Sequence, residues 1–134
     1  MIQRYPRTPS ALQATFYMGQ IQYRLRDYPK AAQTFQLVAR KASTPLFREL
    51  AFLNLGNVQE DLGDCRAAIS SYQALLNDKA IFQDRALQSI GRCYETLGDR
   101  AKATETYNQV LQKFPNSPWA EEIKDRLARL QAAS

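Results

Sequence analysis

Small and apolar residues recur at helical spacing along almost the whole chain, in an order that repeats three times. The first pass reads Ala14-Thr15-Phe16-Tyr17-Met18-Gly19, then Leu25-Arg26-Asp27-Tyr28, then Ala31-Ala32 and Phe35. The second reads Ala51-Phe52-Leu53-Asn54-Leu55-Gly56, Leu62-Gly63-Asp64-Cys65, Ala68-Ile69 and Tyr72. The third reads Ala86-Leu87-Gln88-Ser89-Ile90-Gly91, Leu97-Gly98-Asp99-Arg100, Ala103-Thr104 and Tyr107. All markers shift together, by 37 positions (19 to 56, 31 to 68, 35 to 72) and then by 35 (56 to 91, 68 to 103, 72 to 107). Such a period predicts stacked helix-turn-helix units, here over 10–44, 45–79 and 80–116, and an all-α fold. After Pro118 the spacing of Trp119, Ile123, Leu127 and Leu130 marks one apolar stripe. Glu121, Glu122, Lys124, Asp125 and Arg129 fall on other faces, which predicts a capping helix over 117–131.

Each marker has a mechanical reason. A glycine inside a helix costs about 1 kcal/mol relative to alanine, so Gly19, Gly56 and Gly91 predict a close approach by a second helix. Ala31, Ala68 and Ala103 are expected to supply the matching small surface. Phe35, Tyr72 and Tyr107, with Val38, Leu75 and Val110 three residues later, are expected in the core. Gly63-Asp64 and Gly98-Asp99 read as a helix-ending glycine followed by an N-cap aspartate. The first unit keeps Asp27 but carries Arg26 in the glycine slot, so its turn is expected to be the least ideal.

Composition narrows the function. The 134 residues suit one domain, and 45% hydrophobic content is enough for a core. Lys plus Arg exceed Asp plus Glu by 18 to 13, a net +5, but the charges are dispersed, which argues against nucleic acid as the partner. No apolar run approaches the roughly 18 residues that span a bilayer, so no membrane insertion is expected, and Met1-Ile2-Gln3-Arg4-Tyr5-Pro6 lacks the order of a secretory signal. There is no histidine, no Gly-rich phosphate loop and no nucleophile elbow, so no enzyme activity and no cofactor are expected. Cys65 and Cys93 cannot complete a four-ligand zinc site within one chain. Both read as small buried packing residues, and a disulfide between them stays open.

The small residues, Gly-Asp turn, alanine and aromatic, in that order, resemble the tetratricopeptide repeat family. The tryptophan slot of the family's first helix holds Thr15, Phe52 and Leu87 here, and the tyrosine slot holds Gln22, Gln59 and Tyr94. The resemblance implies a right-handed superhelical solenoid of three repeats and a cap, with function on the concave surface of the first helices. Carried onto this chain, the groove positions are Gln13, Phe16, Gln20, Tyr23 and Arg24, then Leu50, Leu53, Asn57, Glu60 and Asp61, then Arg85, Gln88, Arg92 and Glu95.

Phe16, Leu50 and Leu53 are expected to form the floor of a groove for a partner protein's peptide or helix, the alternative being that they pack against adjacent helices. Arg85 and Arg92 would be available to an acidic group, Glu60 and Asp61 to a basic one. Phe16 and Gln20 stand where the two-carboxylate clamp of chaperone-binding relatives needs lysine and asparagine, so an Asp-terminated tail is not the expected ligand.

Phe114-Pro115-Asn116-Ser117-Pro118-Trp119-Ala120 and Tyr5-Pro6-Arg7-Thr8-Pro9-Ser10-Ala11 share one pattern, 109 positions apart. Residues 1–9 therefore read as the tail of a preceding repeat, in a fragment or late part of a longer array. This segment is similar to bacterial envelope members of the family, including the periplasmic partner of the Tol/Pal system and the barrel-assembly lipoprotein. That similarity implies a bacterial source and favours the periplasm, while the missing signal sequence leaves the cytoplasm open. Two other functions remain: RNA binding, which needs a continuous basic and aromatic stripe that Glu60 and Asp61 interrupt, and self-association into a homo-oligomer through the uncapped N-terminal end.

Overall fold

The computed structural model describes residues 9–133; of the expected tail over residues 1–9, all but Pro9, which begins the first helix, lies outside them. Within that span the chain forms α1 (Pro9–Arg24), α2 (Tyr28–Lys41), α3 (Pro45–Asp61), α4 (Cys65–Gln73), α5 (Gln83–Thr96), α6 (Arg100–Lys113) and α7 (Ala120–Ala132). The packing is sequential, each helix against the next from α1 to α7. The result is an all-α solenoid of three helical hairpins and a final helix. Among the described residues no helix is long and apolar enough to cross a membrane.

The turn inside each hairpin is set by one residue with positive φ: Arg26 at 62°, Gly63 at 80° and Gly98 at 81°. In each, the following aspartate amide donates back to a carbonyl five residues earlier: Asp27 to Gln22, Asp64 to Gln59 and Asp99 to Tyr94, all at 2.9 Å. This is the six-to-one closure of a helix ended by a left-handed residue. The aspartates then start the next helix. Asp64 Oδ1 accepts from the Ala67 amide and Asp99 Oδ1 from the Lys102 amide, both at 3.1 Å. Asp27 makes no such cap and instead faces Lys30 at 3.8 Å. The first turn is thus the least ideal of the three, as Arg26 in the glycine slot predicts, and it also lacks the cap bond that the retained Asp27 was expected to make.

The helical glycines lie beneath aromatic rings. A Cβ placed on Gly19 would sit 2.8 Å from Cε1 of Phe35, and on Gly56 or Gly91 it would come closer still to the rings of Tyr72 and Tyr107. The expected partner of these glycines, the alanine of the second helix, is therefore corrected: the aromatic four residues later takes the space. Ala31, Ala68 and Ala103 are fully buried in the same hairpin cores.

The tyrosine slot also has a physical account. Gln22 accepts from the Thr34 hydroxyl and Gln59 from the Ser71 hydroxyl, both at 2.6 Å and both across a hairpin. In the third hairpin Tyr94 occupies the slot, and Thr106 turns to the Lys102 carbonyl at 2.7 Å. Lys102 in turn lies over the Tyr94 ring, 5.6 Å from its centre.

Two acids fix the spacing between hairpins. Buried Glu49, early in α3, accepts from the amides of Ile81 and Phe82 at 2.8 and 3.3 Å, just ahead of α5. Asp84, 35 positions later in the same role, accepts from the Ser117 hydroxyl at 2.7 Å ahead of α7. A carboxylate at a helix N-terminus meets both free amides and the positive end of the helix dipole.

Candidate binding surface on the first helices

The first helices α1, α3 and α5 frame two concavities. One, of about 520 Å³, is mostly apolar and lies between α1 and α3, lined by Leu12, Gln13, Phe16, Tyr17, Gln20, Ser43, Thr44, Leu46, Phe47 and Leu50. Phe16 forms its wall while packing edge-on against Phe35 and tilted against Phe47, with ring centres 5.5 and 5.3 Å apart. The other, of about 540 Å³, is polar and joins all three first helices through Tyr23, Asn57, Glu60, Asp61, Arg85, Arg92 and Thr96.

The groove positions named from sequence separate accordingly. Phe16, Gln20 and Leu50 face the apolar concavity, together with Gln13. Tyr23, Asn57, Glu60, Asp61, Arg85 and Arg92 meet in the polar one. Arg24 is exposed and lines neither. Leu53 is corrected from groove floor to core: it is 3% exposed and packs with Ile69, Tyr72, Ala86 and Ile90, because its side of α3 turns towards α4 and α5. Phe16 is likewise mostly core, with only an edge left at the concavity. Gln88 is buried, and Glu95 belongs to a bridge described below.

Charge in the polar concavity is largely answered from within. Arg92 donates to Glu60 through Nε at 3.2 Å and Nη2 at 3.0 Å, and through Nη1 to Gln88 at 3.3 Å. Burial alone would lower the Arg92 pKa, but the Glu60 hydrogen bonds and charge outweigh it and raise it. Glu60 also accepts from the Tyr72 hydroxyl at 3.1 Å and the Cys93 thiol at 3.1 Å. Burial first, then Glu60 and Cys65, pushes the Cys93 thiol up, so it stays protonated. Both cysteines are free thiols buried in one cluster. The expectation of Arg92 and Glu60 as groups open to a ligand is therefore corrected, since each is already engaged by the other.

Asp61 accepts from the Tyr23 hydroxyl, which raises the Tyr23 pKa to about 12, mainly through that bond. The Arg85 guanidinium, by contrast, has no hydrogen bond or ion pair among the described residues, since only its backbone amide is engaged, by Asp84. One repeat on, the same motif recurs. The Tyr107 hydroxyl donates to Glu95, and Arg126 of α7 bridges Glu95 at 2.8 Å and Glu122 at 3.2 Å. Phe35, which has no hydroxyl, is matched by Tyr23 where the other repeats place Glu60 and Glu95. The tyrosine hydroxyl and the carboxylate 12 positions before it occur together.

These cations do not form a basic stripe for a nucleic acid backbone, because Arg92 and Arg126 are neutralised by glutamates. Among the described residues there is no cluster of metal-ligating side chains.

Residues 1–132 match the family described as tetratricopeptide repeat-like domain. The chain belongs to this tetratricopeptide repeat-like family. No curated protein matches it. Among solved structures its fold is similar to that of Pseudomonas aeruginosa PcrH in complex with the chaperone binding region of PopD, at 23% identity and a TM-score of 0.76 over 94% of this chain and 95% of that one. It is also similar to the Yersinia enterocolitica type III secretion chaperone SycD in complex with a peptide of the translocator YopD, at 22% identity and a TM-score of 0.75 over 94% and 93%. The tetratricopeptide repeat domain of Arabidopsis FLU follows at 23% identity and 0.72, over 79% and 96%. At these identities the likeness concerns the tetratricopeptide repeat fold.

Proposed function

We propose that this protein is a non-catalytic scaffold that holds a segment of a partner protein along the first helices of its repeats. The observation that carries this reading is the convergence of Tyr23, Asn57, Asp61, Arg85 and Arg92 from three successive helices on one concavity, beside an apolar one. The pair supplies an apolar anchor at Leu50 and Leu46 and an unpaired cation at Arg85, the ingredients of peptide recognition. The solved structures of similar fold that hold a segment of another protein support a protein-binding use. The Phe114–Ala120 pattern adds the envelope-type reading, which favours a periplasmic setting; cell fractionation of the source organism tests that part separately.

The test is crosslinking of the tagged chain in lysate of its source organism, with a Leu50→Asp, Arg85→Glu variant alongside. Leu50 is half-buried against the core of the first hairpin and Arg85 half-exposed, so the comparison is made at a temperature where the variant's helical spectrum equals the parent's. Partners retained by the parent and lost by the variant support the groove. Equal capture by both overturns it.

A further inference from the structure

Cys65 is the first residue of α4, and Cys93 lies late in α5. The repeat explains why they meet. The first residue of a second helix reaches the first helix of the next unit: Tyr28 of α2 packs on the cluster that holds Val58 of α3, and Arg100 of α6 donates through Nη1 to the Ala133 carbonyl just past α7, at 2.9 Å. The offset of 37 carries Tyr28 onto Cys65, and that of 35 carries Val58 onto Cys93, so the cysteines occupy the same contact between the second and third hairpins. Here a ring against a branched side chain is replaced by two small thiols. They share one buried cluster, and the Cys65 side chain hydrogen-bonds with that of Cys93.

The two thiols differ in access. Cys65 is 7% exposed and lines the polar concavity, whereas Cys93 is 0% exposed and donates to Glu60 Oε1 at 3.1 Å. A thiol pair in contact, one member reachable and the other enclosed, is the arrangement of an attacking and a resolving cysteine.

We propose that Cys65 and Cys93 form a redox modification site, which takes a small-molecule disulfide as oxidant and closes into an intramolecular disulfide that staples α4 to α5. Cys65, as thiolate, attacks one sulfur of the oxidant, whose S–S bond breaks and whose first thiol leaves. Cys93 then attacks the Cys65 sulfur of the mixed disulfide, its proton passes to Glu60 Oε1 and on to water, and the second thiol leaves. Two cysteine thiols are oxidised, one small disulfide is reduced to two thiols, and the protons lost by the cysteines end on the thiols released. Burial keeps Cys93 protonated at rest, which assigns it the second step, where its target sulfur is already in contact. Glu60 retains Arg92 and the Tyr72 hydroxyl as partners once the Cys93 thiol is gone. The site does not depend on what the groove binds, and the two proposals stand or fall separately.

The test treats the folded full chain with oxidised glutathione and reads its intact mass, followed by tryptic mapping without reduction. The expected product has lost two hydrogens, carries no glutathione and remains a monomer. Cleavage after Arg66 and Arg92 then leaves the Cys65 peptide joined to the Cys93 peptide. The melting temperature is expected to rise by roughly 5–15 °C, because the bond closes a long loop of the unfolded chain. Cys93→Ser should stop at a single glutathione adduct on Cys65, and Cys65→Ser should take up none while folded. The parent's mass and map decide the pairing whether or not either variant folds. Two thiols that stay free in the folded parent while the urea-unfolded chain oxidises overturn the proposal, as does a lasting glutathione adduct or a disulfide-linked dimer. A bonded product that melts below the reduced parent overturns it as well, because the native contact would then not accommodate the bond.

Discussion

The Arg92 guanidinium on α5 grips the Glu60 carboxylate on α3, joining two successive repeats at their first helices and across the groove. Glu60 is simultaneously the acceptor for the buried Tyr72 hydroxyl, so one carboxylate organises both the hairpin core and the repeat interface. Arg92→Met leaves that carboxylate with no cation, and it is expected to destabilise the fold by about 1–3 kcal/mol in urea unfolding. Arg92→Lys restores the charge without the planar fork and should recover only part of the loss.

Gly91→Ala separates two opposing effects. Helix propensity alone favours alanine by about 1 kcal/mol, whereas a methyl group here meets the Tyr107 ring and overpacks the core at a cost of about 1–3 kcal/mol. The expected outcome is a net loss of stability, read as a lower denaturation midpoint. A gain would show that the ring has room to move.

Arg26→Gly should have the reverse sign. Arg26 holds a left-handed conformation that costs a non-glycine residue about 1–2 kcal/mol, and Gly63 and Gly98 already occupy the corresponding sites. The expected gain is about 1 kcal/mol, read as a rise of a few degrees in melting temperature.

Alkaline pH should unfold the protein through its tyrosines. The Tyr23 hydroxyl, held by Asp61, titrates at about 12 instead of the usual 10, and burial first, then Glu60 or Glu95, pushes Tyr72 and Tyr107 up as well. A raised folded-state pKa means that the stabilisation is complete below pH 10 and is lost as pH climbs from 10 through the folded values. Ultraviolet titration at 295 nm should show these rings ionising together with loss of the helical spectrum, and Tyr23→Phe should remove one ring from the delayed phase.

Much of the architecture was legible because a repeat writes the same physical requirement three times. The turn at Gly63-Asp64 explains the weaker one at Arg26-Asp27, and the shared offset places Tyr23, Asn57, Glu60, Asp61, Arg85 and Arg92 on one surface. What escaped was what helical phase does not encode. Leu53 and Phe16 lie close to the groove face, but each also borders a neighbouring helix, and packing draws them into the core. The ties of Glu60 to Arg92 and of Glu49 to Ile81 join residues more than 30 positions apart, which period alone does not match. Glu49 and Asp84 had a signal, two acids at the same repeat position early in the first helix, but such acids are equally at home on a solvated helix start.

The central claim is that the first helices bind a protein segment, and amide hydrogen exchange of the chain with and without a synthetic peptide of a captured partner tests it most directly. Protection confined to α1, α3 and α5, and absent from the Leu50→Asp, Arg85→Glu variant, is the predicted result. Protection on α2, α4 and α6 with the first helices unchanged would contradict it.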